Sequence, residues 1–250
     1  FARLGFNWDQ QYYLNFTGRR DGSSRFGPGK RFANFGAIGG AWIFTNENSK
    51  RDKTSFLSFG KLRGSYGITG SDQIGDYGYL DTYEPTPGPG GLYPTQLANT
   101  DYSWEENKKL EAALDLGFLR DRINLAINWY RNRSSNQLVG YPLPAMTGFN
   151  SVQANLPATV QNTGWEVGLT TLNIKNKAIR WQTSLNISFP ENKLLSYPDI
   201  EQSSHANTYR VGQPLNIALL YQYDGLDPQT GFYKMADING DNRLDYKDRV

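Results

Sequence analysis

The chain has no cysteine and a single histidine, His205. The first absence excludes disulfides, thiolate metal sites and cysteine nucleophiles together, and the second excludes a multi-histidine metal centre. No run of eighteen apolar residues occurs, which excludes a transmembrane helix. The numbering does not open on a basic, then apolar, then small-residue pattern, so no signal peptide is expected in it. An excess of one charge is also missing. Lys plus Arg number 26 against 24 Asp plus Glu, a net +2 over 250 residues, too little for a nucleic-acid binder.

What remains is rich in aromatics and turns: 26 Gly, 16 Tyr, 13 Phe and 6 Trp. That mixture favours strand over helix. A mean hydropathy of −0.62 then fits a soluble β-sandwich or a membrane β-barrel, in which only alternate residues meet lipid. Period two is strongest between Leu110 and Arg133. Leu110, Ala112, Leu114, Leu116 and Phe118 alternate with Glu111, Ala113, Asp115 and Gly117. After an Arg120-Asp121-Arg122 turn, Ile123, Leu125, Ile127 and Trp129 resume the apolar places. A second hairpin turns at Lys175-Asn176-Lys177. Trp165, Val167 and Leu169 precede it; Ile179, Trp181, Leu185, Ile187 and Phe189 follow, with Thr183 the one polar residue on that face. Strands of about ten residues are what a tilted bilayer crossing needs.

Further strands are expected near residues 9–20, 33–46 and 57–69. The connections 20–32, 70–108, 135–162 and 190–250 are long, whereas 47–56, 120–122 and 174–177 are shorter. In an antiparallel sheet this places every long loop at one end, the arrangement of outer-membrane barrels. The expected fold is therefore all-β: part of a large antiparallel transmembrane β-barrel, about seven spanning strands here, with long extracellular loops. Residues 1–189 form the wall and 190–250 a long extracellular loop region. A secreted calcium-dependent glycan-binding β-sandwich is the rival, because a sandwich strand also shows one apolar face.

Several local words occur in a familiar order. They are Arg19-Arg20-Asp21-Gly22-Ser23-Ser24-Arg25-Phe26-Gly27, Leu62-Arg63-Gly64-Ser65-Tyr66-Gly67 and Trp104-Glu105 ahead of Leu114-Asp115-Leu116-Gly117. Pro142-Leu143-Pro144, Asn162-Thr163-Gly164-Trp165-Glu166 and Gly225-Leu226-Asp227-Pro228-Gln229-Thr230-Gly231 continue the series. Together they resemble the SusC/RagA family of TonB-linked outer-membrane transporters. The resemblance implies a bacterial outer-membrane location and a barrel of twenty-two strands closed by a plug that these residues do not include. It implies import of oligosaccharides or peptides powered by TonB through that plug, and a SusD-like surface lipoprotein as lid. It leaves open a barrel that serves as scaffold in a surface complex. Membrane lipid is an expected partner and nucleic acid is not.

The sharpest site signal is Asp237 to Asp248. Asp237, Asn239, Asp241, Asp245 and Asp248 put side-chain oxygens at positions 1, 3, 5, 9 and 12, and Arg243 offers its carbonyl at 7. A hard cation wanting six to eight oxygens suits that spacing, so a structural calcium ion is expected. Asn242 stands at the sixth place, where an EF-hand has glycine. The bland reading is an Asp/Asn/Gly turn needing no metal. Tyr79, Tyr83, Tyr93, Tyr102 and Tyr141 in the long connections are candidates for stacking on sugar. His205, among polar residues, is expected to be solvated. Glu105-Glu106 do not form an acid–base pair, because neighbours on a strand point oppositely. Gly88-Pro89-Gly90 lacks the lysine and helix of a phosphate loop. No catalytic residues are identified, and the chain is read as a non-enzyme.

Overall fold

The computed structural model describes residues 1–45 and 56–250. Eight strands make one antiparallel sheet: β1 (Ala2–Trp8), β2 (Tyr12–Gly22), β3 (Phe32–Ile43), β4 (Leu57–Ser71), β7 (Glu105–Phe118), β8 (Ile123–Pro142), β9 (Ser151–Lys175) and β10 (Arg180–Ser196), in that spatial order. Two small hairpins, β5 (Thr82–Pro85) with β6 (Leu92–Gln96) and β11 (Tyr223–Leu226) with β12 (Tyr233–Met235), lie in the long connections. The sequence pointed to about seven strands; the additional one is β1. Leu4, Phe6 and Trp8 carry its alternation, but the turn behind it is disguised. Asp9 and Gln10 both take positive φ, as in a type I′ turn, a place normally marked by Asn-Gly or Asp-Gly.

Register turns the alternation into two faces. One row of direct partners runs Trp8, Tyr12, Trp42, Leu62, Leu114, Ile127, Val167, Ile187 from β1 to β10. The next runs Phe6, Leu14, Gly40, Gly64, Ala112, Trp129, Trp165, Phe189. Between them, on the opposite face, lie Asn7, Tyr13, Ala41, Arg63, Ala113, Asn128, Glu166 and Ser188. Among the described residues no second sheet covers the apolar face, and Leu4, Trp8, Trp165 and Leu185 are more than half exposed. A sandwich would bury that face against a partner sheet. Thr183, the polar exception, accepts from Asn173 Nδ2 at 2.7 Å, and Asn173 in turn accepts from the Thr171 hydroxyl at 2.9 Å. The three polar side chains satisfy one another.

The apolar band is slanted. Its lower edge is Trp8 on β1 and Trp181 on β10, whereas the row that contains Trp8 meets β10 at Ile187. Six residues at about 3.3 Å each displace the edge by roughly 20 Å across seven strand spacings of about 4.8 Å, a strand tilt of roughly 30°. Barrel strands tilt by about 35–45°.

Connection lengths keep the expected parity with changed bounds. Residues 9–11, 119–122 and 176–179 are tight turns at one end. The expected 47–56 connection lies outside the described residues apart from Phe56. Ile179 belongs to the last of these turns, its amide held by Asn176 Oδ1 at 2.7 Å. At the other end stand 23–31, 72–104 and the segment after Ser196. The expected 135–162 loop is mostly strand: β8 and β9 pair as far as Pro142 with Ser151, leaving only 143–150 to connect them. On β9 the alternation continues through Val152, Ala154, Leu156, Ala158 and Val160, but on the face that carries Asn162 rather than Trp165, and Ser135-Asn136-Gln137 interrupts it on β8 while the backbone pairing continues.

Candidate functional site

The polar face of β4, β7, β8 and β9 forms a cleft of about 560 Å³ lined by Arg63, Glu111, Asn128, Tyr130, Asn162 and Glu166. Arg63 organises its floor. Its Nε donates to Asp115 Oδ2 at 3.2 Å and its Nη2 to Asn128 Oδ1 at 2.7 Å, ties that span three strands. Tyr130 lies flat on Gly164: a Cβ there would stand 2.7 Å from the phenol oxygen, so only glycine leaves room for the ring. Asn132, Asn162 and Asn192 continue as a row, with Asn192 Nδ2 donating to Asn162 Oδ1 at 2.6 Å. Neutral amides, a phenol and carboxylates suit a polar, hydrogen-bonding ligand or a packed polar segment. Sequence reasoning saw this face only as the polar half of an alternation.

The long-connection end has its own small core. Phe26, Tyr79 and Tyr102 are buried together, with Ile74, Trp104 and Leu138 against them. Phe26 meets Tyr102 edge-on, the ring centroids 6.0 Å apart. Arg25 clamps the 72–104 segment, donating to Asp76 Oδ1 at 3.0 Å and to the Asp72 carbonyl at 2.9 Å. The stacking candidates therefore separate. Tyr79 and Tyr102 are packing residues, and burial raises the Tyr102 phenol pKa. Tyr83 and Tyr93 stand exposed on the β5–β6 hairpin, where Tyr93 donates to Glu84 Oε2 at 2.8 Å, a bond that raises its pKa. Tyr141 is half-buried near the tip of β8. Arg19 pairs locally with Asp21 at 2.7 Å. Glu106 pairs with Lys108 at 3.2 Å.

A second core of Ala158, Val160, Leu194 and Tyr197 fixes the segment after β10 onto the wall. His205 is not solvated as expected. It is half-buried between Tyr197 and Tyr209, at centroid distances of 6.0 and 5.6 Å. Tyr209 is only four positions on, its amide donating to the His205 carbonyl at 3.1 Å, and Tyr197 eight positions back, so the contact is a local turn that the surrounding polar residues disguised.

The Asp237–Asp248 loop is tightly ordered by its own backbone. Asp237 accepts from the Gly240 and Asn242 amides, both at 2.7 Å. Asn239 accepts from Asp241 N, Asp241 from Arg243 N and Asp245 from Lys247 N. Asp248 is fully buried and accepts from Ile238 N, Asn239 N and Asp245 N. Asn242 takes a φ of 60°, filling the left-handed place where glycine was absent. The oxygen-only donor set suits a hard cation. In this geometry, though, Asp248 spends both its oxygens on amides, and no three acidic side chains among the described residues are grouped to hold a metal.

The Asp245 amide does most to depress the Asp248 pKa. Burial opposes it, and the Asn239 and Ile238 amides add to the depression. A folded value below the unfolded one stabilises the loop fully above the ordinary carboxylate range. That contribution is lost as pH falls through the depressed value. Amide protection at Ile238, Asn239 and Asp245, corrected for intrinsic exchange, should therefore collapse in strong acid, and in Asp248→Asn already at neutral pH. Unchanged protection in Asp248→Asn would show that the carboxylate charge is not what orders the loop.

Comparison with known proteins now adds to this geometry. Residues 1–248 match the family profile described as TonB dependent receptor-like, beta-barrel. A TonB-dependent receptor of Formosa agariphila is 34% identical over 229 residues, covering 90% of this chain and 22% of that protein. The TonB-dependent receptor SusC of Bacteroides thetaiotaomicron is 28% identical, covering 100% of this chain and 27% of its own length. Among solved structures, the RagAB peptide importer in its closed-closed state superposes with a TM-score of 0.77 at 26% identity, over 99% of this chain and 28% of that one. The RagAB peptide transporter gives 0.78 at 27% identity, over 93% and 26%. The chain thus spans about a quarter of the length of the relatives it matches.

Proposed function

Because the chain belongs to the TonB-dependent receptor β-barrel family, we propose that it forms part of the wall of an outer-membrane nutrient importer. The full-length protein takes up oligosaccharides or peptides, is energised by TonB, and works under a SusD-like surface lipoprotein. The observation that carries this reading is the apolar face continuous across eight strands and backed by a polar one, the profile of a wall between lipid and an aqueous lumen. The relatives described as a peptide importer support the direction of transport. The Arg63 cleft then faces the lumen, and the β5–β6 and β11–β12 hairpins face outward, where a lid would meet them.

Cells producing the full-length protein should accumulate labelled oligosaccharide or peptide only when TonB is intact. Equal uptake without TonB would overturn the reading. Orientation is checked separately, in a background from which any cysteine outside these residues has been removed, since residues 1–250 contain none. A cysteine at Gln229 should react with an impermeant maleimide on intact cells, while one at Lys177, in a short turn, should stay protected.

Calcium at the Asp237–Asp248 loop is a further part of this proposal and rests on the oxygen spacing. The ion would be structural, drawing Asp237, Asn239, Asp241, the Arg243 carbonyl and Asp245 together, with Asp248 released from its amides. Millimolar calcium should then protect the loop of the full-length protein from proteolysis, with a midpoint near 10⁻⁴ M or tighter, about the range of extracellular sites. Identical cleavage in calcium and in chelator would leave the aspartates as a metal-free turn.

A further inference from the structure

On the apolar face, the places just beyond the aromatic row are basic. Trp129 and Trp165 are direct partners on β8 and β9, and Phe189 extends their row onto β10. Two and four residues further along β8 stand Arg131 and Arg133. Arg133 lies directly opposite Lys108 on β7. Cations placed directly opposite each other across a sheet repel, so the pairing is unfavourable unless something offsets it. Glu106 pairs with Lys108 at 3.2 Å, and Glu191, two strands from Arg131 in the same row, pairs with Lys193 at 3.7 Å. Arg133 Nε donates to the uncharged Gln161 Oε1 at 2.7 Å. Among the described residues, Arg131 has no carboxylate partner. Two half-buried guanidiniums therefore stand on one face of β8 with no ion pair to either among the described residues, the nearby Glu106 and Glu191 being paired with lysines.

We propose that Arg131 and Arg133, with Lys108, hold the phosphate of an anionic lipid in the outer leaflet. This rests on the reading above, in which the strands cross a membrane and the long connections lie outside. The height is right: tryptophans mark the headgroup level of a barrel, and Arg131 begins immediately above them. The chemistry is right too, because two planar guanidinium forks match a phosphate's oxygens. Acyl chains attached to that phosphate run down over Trp129, Trp165 and Ile127, the apolar strip beneath it. The bound anion adds to Glu106 in offsetting the repulsion between Lys108 and Arg133.

The test is a native mass spectrometry titration of the delipidated full-length protein in detergent. The probes are bisphosphorylated lipid A, the same lipid without phosphate, and inorganic phosphate. Arg131→Gln/Arg133→Gln should bind bisphosphorylated lipid A about thirtyfold more weakly, at about fivefold per cation near a membrane surface. Arg131→Lys/Arg133→Lys should keep most of the affinity, and Lys177→Gln at the opposite end should keep all of it. Equal binding by the glutamine variant, or of the phosphate-free lipid, would overturn the proposal. So would displacement of lipid A by equimolar inorganic phosphate, which would mark a free-phosphate site instead. The maleimide labelling separates the two levels. Inverted labelling sinks the membrane orientation, whereas correct labelling with unchanged lipid binding sinks this site alone.

Discussion

Phe26→Ala should release the 72–104 connection from the wall while leaving the sheet folded. Phe26 is fully buried against Tyr102 and Trp104, the latter at a centroid distance of 5.2 Å. Truncating such a ring leaves a cavity and costs about 3–5 kcal/mol. The small core has few other members, so nothing nearby can redistribute the loss. Trp104 would lose one of its two aromatic neighbours and keep Phe35 at 5.5 Å. The Arg25 clamp is half-exposed and adds too little to hold the segment alone. Protease cleavage between Asp72 and Trp104 should rise by orders of magnitude, with the main unfolding transition in detergent unchanged. Tyr102→Ala should reproduce the effect. Undiminished protease resistance in both variants would mean that polar ties, such as Asn99 Nδ2 to the Gln153 carbonyl at 2.7 Å, hold the segment instead.

Leu185→Arg should destabilise the folded protein in lipid by about 2–4 kcal/mol, the cost of a cation near the bilayer midplane on a barrel's outer surface. Leu185 is midway between Trp181 and Phe189, the aromatic limits of the band on β10, and is 51% exposed on the apolar face. Its neighbour Ser184 points to the polar face, where its hydroxyl lies 3.4 Å from that of Thr170. Ser184→Arg should cost a small fraction of that amount, because the guanidinium stays in water. Unfolding titrations in lipid vesicles decide between them. Similar penalties for both variants would mean that the two faces meet the same medium, and the membrane wall would fall.

The parts of this fold legible in sequence are those where one face is apolar and the other is not. Leu110 to Trp129 and Trp165 to Phe189 announced their strands because apolar and polar or small residues alternate along them, broken only around the Thr171–Thr183 pair and the bulge beside it. The upper halves of β8 and β9 were hidden because Ser, Asn, Gln and Pro interrupt them and the apolar set changes faces, Val152 to Val160 alternating on the side opposite Trp165, where Ala158 and Val160 are buried. β1 was hidden by a turn whose left-handed residues are Asp9 and Gln10 rather than glycine. Among candidate site residues, the aspartate loop was visible because its side chains act on amides two to five positions away, or nine and ten for Asp248, all within the twelve-residue loop. The Arg63 cleft and the fate of Tyr79 and Tyr102 depend on partners some 50 or more positions away, and local spacing carries no record of that; His205 packs on Tyr197 and Tyr209, close in sequence but brought together by a turn that polar residues disguise.

The β8–β9 ribbon has a mechanical consequence. Beyond Ser135, where pairing with β7 has ended, the register shifts at Asn136, which takes a φ of 59°. Here the ribbon is pinned. Asn136 Nδ2 donates to the Trp104 carbonyl at 2.8 Å, and Asn155 Nδ2 to the carbonyls of Ser103 and Asn136 at 2.7 and 3.0 Å. From that root to Pro142 it extends about 20 Å as two strands at about 3.3 Å per residue. It is a stiff beam on two supports, because Asn99 Nδ2 also holds the Gln153 carbonyl, opposite Gly140, at 2.7 Å. A load on residues 143–150 is therefore shared between Asn99 near the tip and Ser103 and Trp104 at the root, and both supports belong to the 72–104 connection that packs on the buried Phe26.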